Sequence, residues 1–248
     1  MSRHERASEA ARLIDPPAAL LLGEMELLGL MPNATNATFL ARCRHEQDEV
    51  LAIYKPRRGE TPLWDFPEGT LHLREVAAYR VARALGWPNV PPTVLREGPQ
   101  GPGSVQLFQR FDPEQHYFTL EDGRTDEFRR IALFDLVVNN ADRKAGHCLL
   151  GEDGRIWVID HGVCFAEEPK LRTVIWSFAG DDIPGDLRAD LRRLATQLEP
   201  GPLLRRDLEA LLAVGEVDAT ADRARQLADA PCFPDPIPGS RPFPWPPI

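Results

Sequence analysis

Asn139-Asn140-Ala141-Asp142-Arg143-Lys144-Ala145-Gly146-His147, then Ile156-Trp157-Val158-Ile159 running into Asp160-His161-Gly162, is the stretch on which the reading of this chain turns. The first part is polar and turn-forming. It follows Asp126 to Val138, where Phe128, Ile131, Ala132, Phe134, Asp135 and Val138 fall near one side at helical spacing. Asp135 lies on that apolar side, which predicts a structural role accepting hydrogen bonds from the loop below. Cys148-Leu149-Leu150 and Ile156 to Ile159 are short apolar runs around the turn Gly151-Glu152-Asp153-Gly154, the pattern of two strands. The order helix, polar loop, hairpin brings two carboxylates, Asp142 and Asp160, to positions where they can share a cleft.

Towards the N-terminus the text changes. Residues 5–14 have the spacing of a short amphipathic helix, and Leu20 to Leu30 reads as a strand. Met31 to Ala37 is a turn-rich interruption, Thr38 to Cys43 alternates as a second strand, and Glu49 to Tyr54 forms a third that ends at Lys55-Pro56. These predict an antiparallel meander. After a loop from Arg57 to Gly69, His72 to Leu85 puts Leu73, Val76, Ala77, Val81 and Leu85 on one helical face, stopped by Gly86 and Pro88. Pro91 to Leu95 and Ser104 to Phe111 read as strands around a Gly/Pro turn.

Beyond the hairpin, helices are predicted at Gly185 to Leu198, Leu203 to Val214 and Ala219 to Asp229. The segment from Pro231 holds eight prolines in eighteen residues and should be extended, on the surface or loose. Trp64, Trp87, Trp157 and Trp176 are expected in packing. The fold class expected is α+β, with strands in the first part of the chain and helices in the second. The boundaries expected are an N-terminal segment 1–18, a strand-rich lobe 19–111, a helical lobe 112–230 and a Pro-rich tail 231–248.

With 248 residues, 43% hydrophobic and 27% charged, the chain has ample material for a core. No apolar run approaches the roughly 18 residues of a membrane span, so no integral membrane segment is expected. The polar start, Met1 to Asp15, lacks the form of a secretory signal, which predicts a cytoplasmic protein. The net charge of −9 and the absence of a dominant Lys/Arg cluster argue against nucleic acid as a partner. Four cysteines without C-x-x-C spacing give no sign of a disulfide framework or zinc site, and Cys148 and Cys164 read as core residues. Only three of the 29 basic residues are lysines, Lys55, Lys144 and Lys170, so a compact ammonium is kept at Lys55 and Lys144 inside the motifs.

A lysine at a strand end, an acid on a polar loop and an acid after an apolar strand are parts that phosphoryl transfer uses: a fixed ammonium, oxygen ligands for a divalent metal, and a carboxylate serving the attacking hydroxyl. At Asn140-Ala141-Asp142-Arg143 and Asp160-His161-Gly162 the chain resembles the phosphatidylinositol 3-/4-kinase-like superfamily. Its motifs are similar to those of type II phosphatidylinositol 4-kinases, and it looks like an actinobacterial group with that similarity. The resemblance spans roughly residues 20 to 180 and implies a two-lobed atypical protein-kinase-like fold, a strand-rich N-lobe holding the nucleotide and a helical C-lobe carrying catalytic and metal-binding residues.

By position, the resemblance implies that Lys55 contacts the nucleotide phosphates and Glu75 pairs with it. The turn Asn33 to Thr38, including Asn36 and Thr38, would replace a glycine-rich phosphate loop. Gln106, Phe108 and Gln109 would lie near adenine. Asp142, with Lys144 beside it, would be catalytic, and Asp160 with His147 would bind Mg or Mn. Two features depart from the family. His147 stands where the family has a metal-binding Asn, and imidazole is a poor Mg ligand. The phosphate turn also contains no glycine.

The function implied is an ATP- and divalent-metal-dependent phosphotransferase acting on a hydroxyl of a protein or a soluble metabolite. Nucleotidyl transfer uses the same parts. The alternative is a catalytically impaired pseudokinase that serves as a nucleotide-responsive binding module, and a third reading is a structural protein that binds no nucleotide.

Overall fold

Strand β3 (Asp48–Pro56) shows how the fold begins. Its alternation buries Ala52, Tyr54 and Pro56 on one face and leaves Ile53 and Lys55 on the other, as a period of two dictates. In the computed structural model, which describes residues 15–32 and 36–248, β3 is the centre of a five-stranded antiparallel sheet. With β1 (Glu24–Leu30), β2 (Phe39–His45), β4 (Thr93–Gly98) and β5 (Gly101–Leu107), the order is β1-β2-β3-β5-β4. The meander is therefore as the sequence predicts, and a second hairpin joins it through β5. Lys55 lies opposite Ser104, and Ile53 opposite Gln106.

The buried face of the sheet packs Ala41, Cys43, Ala52, Tyr54, Val94 and Val105 against Leu20. Leu20 belongs to a single helical turn, α1 (Ala18–Leu22), where a strand was expected. A run of three leucines has no period of its own. Here Ala19 and Leu20 are buried, Leu21 and Leu22 face out, and the Gly23 N–H closes the turn on the Ala19 carbonyl at 3.0 Å. Arg96 holds this turn to β4 by donating to the carbonyls of Leu20 (2.9 Å) and Gly23 (2.6 Å). The β4–β5 turn is tighter than the sequence predicts: Gly98 pairs directly with Gly101. The expected helix at 5–14 lies outside the described residues, as do residues 33–35 of the expected phosphate turn.

Helix α2 (Leu71–Leu85) follows the loop after β3 and ends in Gly86, whose φ of 86° is the left-handed conformation that glycine adopts freely. Its apolar residues join the larger core, which also holds Phe128, Ile131, Phe134, Leu191, Leu194 and Val217. That core is built by α3 (Tyr117–Leu120), α4 (Thr125–Val138), α5 (Gly185–Gln197), α6 (Leu203–Glu209) and α7 (Val214–Asp229), with the hairpin β6 (Cys148–Leu150) and β7 (Ile156–Val158). The second and third helices expected in this region divide differently. The Ala213 N–H donates to the Glu216 carboxylate at 3.0 Å and starts α7 earlier, while Leu211 and Leu212 bury themselves in the connection. Arg74 of α2 donates to Glu216 (2.6 Å) and to the Cys164 carbonyl (2.6 Å), so a buried guanidinium ties α2 to the helical half.

The Pro-rich segment lies along the surface of that half. Its carbonyls accept from the backbone: Pro231 from Ile183 at 2.9 Å, Pro242 from Thr173 at 2.9 Å and Pro247 from Ala145 at 2.8 Å. Trp87 and Trp157 are buried as expected, but Trp64 is 95% exposed. It sits on the loop between β3 and α2, where the neighbouring Phe66 takes the packing position instead. Among the described residues no helix is long and apolar enough to cross a membrane.

Candidate active site

The free face of the sheet, the N-terminal part of α2 and the loop after α4 enclose a cleft of about 460 Å³. All of Asn36, Thr38, Lys55, Glu75, Gln106, Phe108, Gln109, Asp142, Lys144, His147 and Asp160 line it. Residues from six separate parts of the sequence thus meet in one space.

Lys55 makes the first connection. Its ammonium forms an ion pair with Glu75 on α2 and lies 3.0 Å from Asp160 Oδ1. Burial works against the charge of Lys55, but Asp160 and Glu75 outweigh it and hold the amine protonated well above its ordinary range. The Lys55 ammonium in turn holds the Asp160 carboxyl far below the usual carboxylate range. Glu75 is nearly enclosed, with 3% of its side chain exposed, and its second oxygen accepts the His161 N–H at 3.0 Å. Asp160 is open, 49% exposed, on a backbone with φ 63°. Asp is among the few residues that visit this left-handed region at modest cost.

The second connection is buried. Asp135 and Arg143 are both 0% exposed and joined by three guanidinium bonds of 2.9 to 3.2 Å. Asn140 donates to the same Asp135 carboxylate at 3.0 Å, and its side-chain oxygen accepts the Asp142 N–H at 3.0 Å. Asp135 therefore supports the loop as its place on the apolar side predicts. Arg143 also donates to the Ile159 carbonyl at 2.8 Å, so one guanidinium holds both the segment carrying Asp142 and the segment leading to Asp160. The third nitrogen contact of Arg143 is His161 Nε2 at 2.8 Å; because Arg can only donate, the buried imidazole accepts there. Arg143 pairs with Asp135 and leaves Asp142 to Lys144, whose Nζ is 3.6 Å from Asp142 Oδ2.

Burial pushes the Asp142 carboxyl up to about 6, against the pull of Lys144 and with a push from Asp160. Its proton is therefore exchangeable near neutral pH, the property a general base needs. Burial pushes His147 down to about 4, so its ring is neutral at pH 7. His147 Nε2 is 3.4 Å from Asp160 Oδ2, and Nδ1 accepts the Lys144 N–H at 3.4 Å. That arrangement places the ring proton on Nε2, and ligation of a metal through Nε2 requires the other tautomer.

Among the described residues no three His, Cys, Asp or Glu side chains gather to hold a metal by themselves. Asp160 offers a hard anionic oxygen to a divalent ion carried in with phosphates, whereas His147 would offer a nitrogen only in its other tautomer. Water and phosphate oxygens would fill the other positions.

Part of the lining is apolar: Met31, Ile53, Pro91, Leu107, Leu149 and Ile159 join Gln106 to Gln109 there. Gln106 is buried and donates to Thr93 Oγ1 at 2.9 Å, and the Phe108 N–H is used by the Leu51 carbonyl at 2.9 Å. Asn36 Oδ1 accepts the Thr61 N–H at 2.8 Å, which ties that side of the cleft to the loop after β3. Sequence reasoning missed Glu60 and His72, which also line the cleft. An i,i+12 pair across a loop leaves no periodic signal to find.

No family model matches the chain. The Mycobacterium tuberculosis protein Rv2133c is 39% identical over 267 aligned positions, covering 94% of this chain and 95% of that protein. Phosphatidylinositol 4-kinase gamma 4 of Oryza sativa subsp. japonica is 32% identical over 125 residues, 43% of this chain. Phosphatidylinositol 4-kinase gamma 2 of Arabidopsis thaliana is 24% identical over 189 residues, 60% of this chain. The chain matches only 22% and 34% of the length of these two plant proteins. Among solved structures, the Helicobacter pylori proinflammatory kinase CtkA aligns with a TM-score of 0.47 at 12% identity, over 84% of this chain and 96% of that one.

Proposed function

The chain belongs to the family of the Mycobacterium tuberculosis protein Rv2133c, and from that premise we propose that it is an ATP- and divalent-metal-dependent, kinase-like phosphotransferase acting on a hydroxyl of a protein or soluble metabolite. The observation that carries this reading is the Lys55–Glu75–Asp160 arrangement, an ammonium locked by one buried acid and facing one open acid across the cleft. The partial similarity to plant phosphatidylinositol 4-kinases supports the same class of chemistry.

In this mechanism Lys55 contacts the nucleotide phosphates, with Glu75 keeping its amine in place. Gln106 to Gln109 and the apolar lining would receive the base of the nucleotide. Asp142, ionised above about pH 6, accepts the proton of the acceptor hydroxyl. Lys144 keeps that carboxylate oriented and offsets charge that develops beside it. Asp160, with His147, would hold the metal, which when bound neutralises charge on the phosphates.

A second reading, a nucleotide-responsive binding module without turnover, is favoured by one observation: His147 points a proton at Asp160 where the reaction calls for a lone pair. A thermal-shift series with ATP, GTP and ADP, each with Mg²⁺, Mn²⁺ or no metal, tests the cleft. At a hundred times its dissociation constant a nucleotide should stabilise the protein by about 2.7 kcal/mol. The shift should need metal and vanish in Asp160→Ala. No shift under any condition removes the nucleotide from the account. A shift without phosphate release or transfer selects the binding module.

A further inference from the structure

Helix α2 starts without help from its own first residues. Thr70, at its N-cap, makes no side-chain capping bond. The exposed amides of the first turn are instead met by Glu60, from the loop after β3. Glu60 Oε2 accepts the Leu71 N–H at 3.1 Å, and Oε1 accepts the His72 N–H at 2.7 Å. The same Oε1 lies 2.7 Å from His72 Nδ1. Glu60 and His72 are both nearly enclosed, with 8% and 4% of their side chains exposed. Burial disfavours the Glu60 charge, yet the His72 ring and the two amides outweigh it and keep the carboxyl below its ordinary range. An anion at a helix N-terminus is favoured by both the free amides and the helix dipole.

The position of this contact in the chain matters. Lys55 lies shortly before Glu60 on the strand side, and Glu75 lies one turn after Leu71 on the helix side. On either side of Glu60 the loop is tied down, the Gly59 carbonyl accepting the Ala37 N–H at 2.9 Å and the Thr61 N–H donating to Asn36 Oδ1 at 2.8 Å, and Glu60 carries that hold across to the helix. We propose that Glu60 is a positioning residue: by fastening the first turn of α2 to the end of β3, it sets Glu75 against Lys55. The loop is held further along by Lys170 from the helical half, whose amine lies 3.0 Å from Asp65 Oδ2 and 4.8 Å from the centre of the Phe66 ring. Glu60 therefore works from a loop that is itself anchored. In this role it acts on nucleotide handling through the Lys55–Glu75 pair, although it also borders the cleft.

This inference rests on the phosphotransferase reading, and a double-mutant cycle tests it. Glu60→Ala, Glu75→Gln and the double variant are compared for the nucleotide dissociation constant and, where there is turnover, for kcat and KM. Glu60→Gln serves as the conservative variant, and urea unfolding is measured on each. If Glu60 acts through Glu75, Glu60→Ala should weaken function about tenfold in the wild-type background and less than about twofold once Glu75 is Gln, a coupling of neighbouring groups of the usual size. Glu60→Gln, which keeps one acceptor oxygen, should recover part of the loss. Effects that simply multiply, or that follow unfolding free energy alone across all variants, would overturn the positioning role while leaving the phosphotransferase reading standing. Wild-type protein that binds no nucleotide would bring both down together.

Discussion

Two charged networks meet around the loop from Asn139 to His147, and they differ in how far water reaches them. Asp135 and Arg143 are fully enclosed, and their charges are met on every side by Asn140, His161 and the Ile159 carbonyl. Lys55, Glu75 and Asp160 have the same kinds of groups, but the triad opens outward: Glu75 is enclosed, Lys55 is 23% exposed and Asp160 is half-exposed. A closed network whose charges are paired inside the protein is out of a ligand's reach, and its role is to fix backbone. The open network keeps unfilled bonding capacity on Lys55 and Asp160. A sequence shows both only as paired acids and bases; enclosure separates the scaffold from the site.

Substitution of Arg143 by Ala should give the largest effect. It leaves Asp135 buried without its cation, and breaking a buried pair costs about 3–5 kcal/mol. Urea unfolding should show that loss, and the loop should lose its place with it. A loss below about 1 kcal/mol would mean the closed network is not the scaffold.

Lys55→Met should divide the two networks in the opposite sense. Turnover should fall about 10²–10³-fold, as for loss of one fixed electrostatic contact to reacting phosphates. The stability cost should be smaller than for Arg143→Ala, because Asp160 can return to water and Glu75 keeps the His161 amide. Equal stability costs would erase the distinction.

The smallest effect concerns pH. Asp142 is pushed up to about 6 by burial, so its ionisation opposes the fold. The contribution of its protonated form is fully present below the ordinary carboxylate value of about 4. It is lost as pH rises through 6. Asp142→Asn should therefore raise the melting temperature at pH 8 slightly and leave it unchanged at pH 4, while abolishing any limb near pH 6 in a pH–rate profile. Asp160 has the opposite sign. Its carboxyl is held low by Lys55, so its contribution is present above the ordinary carboxylate value and fades as the solution is acidified below it.

The main elements were legible where the pattern has a period. The alternation of Thr38 to Cys43 marked a strand, the next strand was seen to end at Lys55, and the spacing in α2 and α4 fixed which faces enter the core. The order of Lys55, Asp142 and Asp160 was enough to bring three remote groups to one cleft. What failed had no period to read. Ala18 to Leu22 is apolar at every position, and the packing of Arg96 against its carbonyls decided for a helical turn. Trp64 was expected inside because it is large and aromatic, but Phe66 takes that place two residues later. Glu60, Arg143 and Asp135 owe their partners to tertiary closure. A sequence can mark such residues as polar in an apolar setting, yet it cannot say which amide or guanidinium they will meet.

The eight prolines of the tail bear on how the loop with Asp142 is kept in shape. A proline ring fixes one backbone torsion before folding begins, so a segment rich in proline has less conformational entropy to surrender when it docks. The carbonyls of Pro242 and Pro247 receive the amides of Thr173 and Ala145, the latter inside the loop that carries Asp142. Fastening a flexible strand at those points would cost about 1–2 kcal/mol for each residue ordered. A pre-stiffened strand costs less, and the saving leaves more of the docking free energy to hold the loop in place.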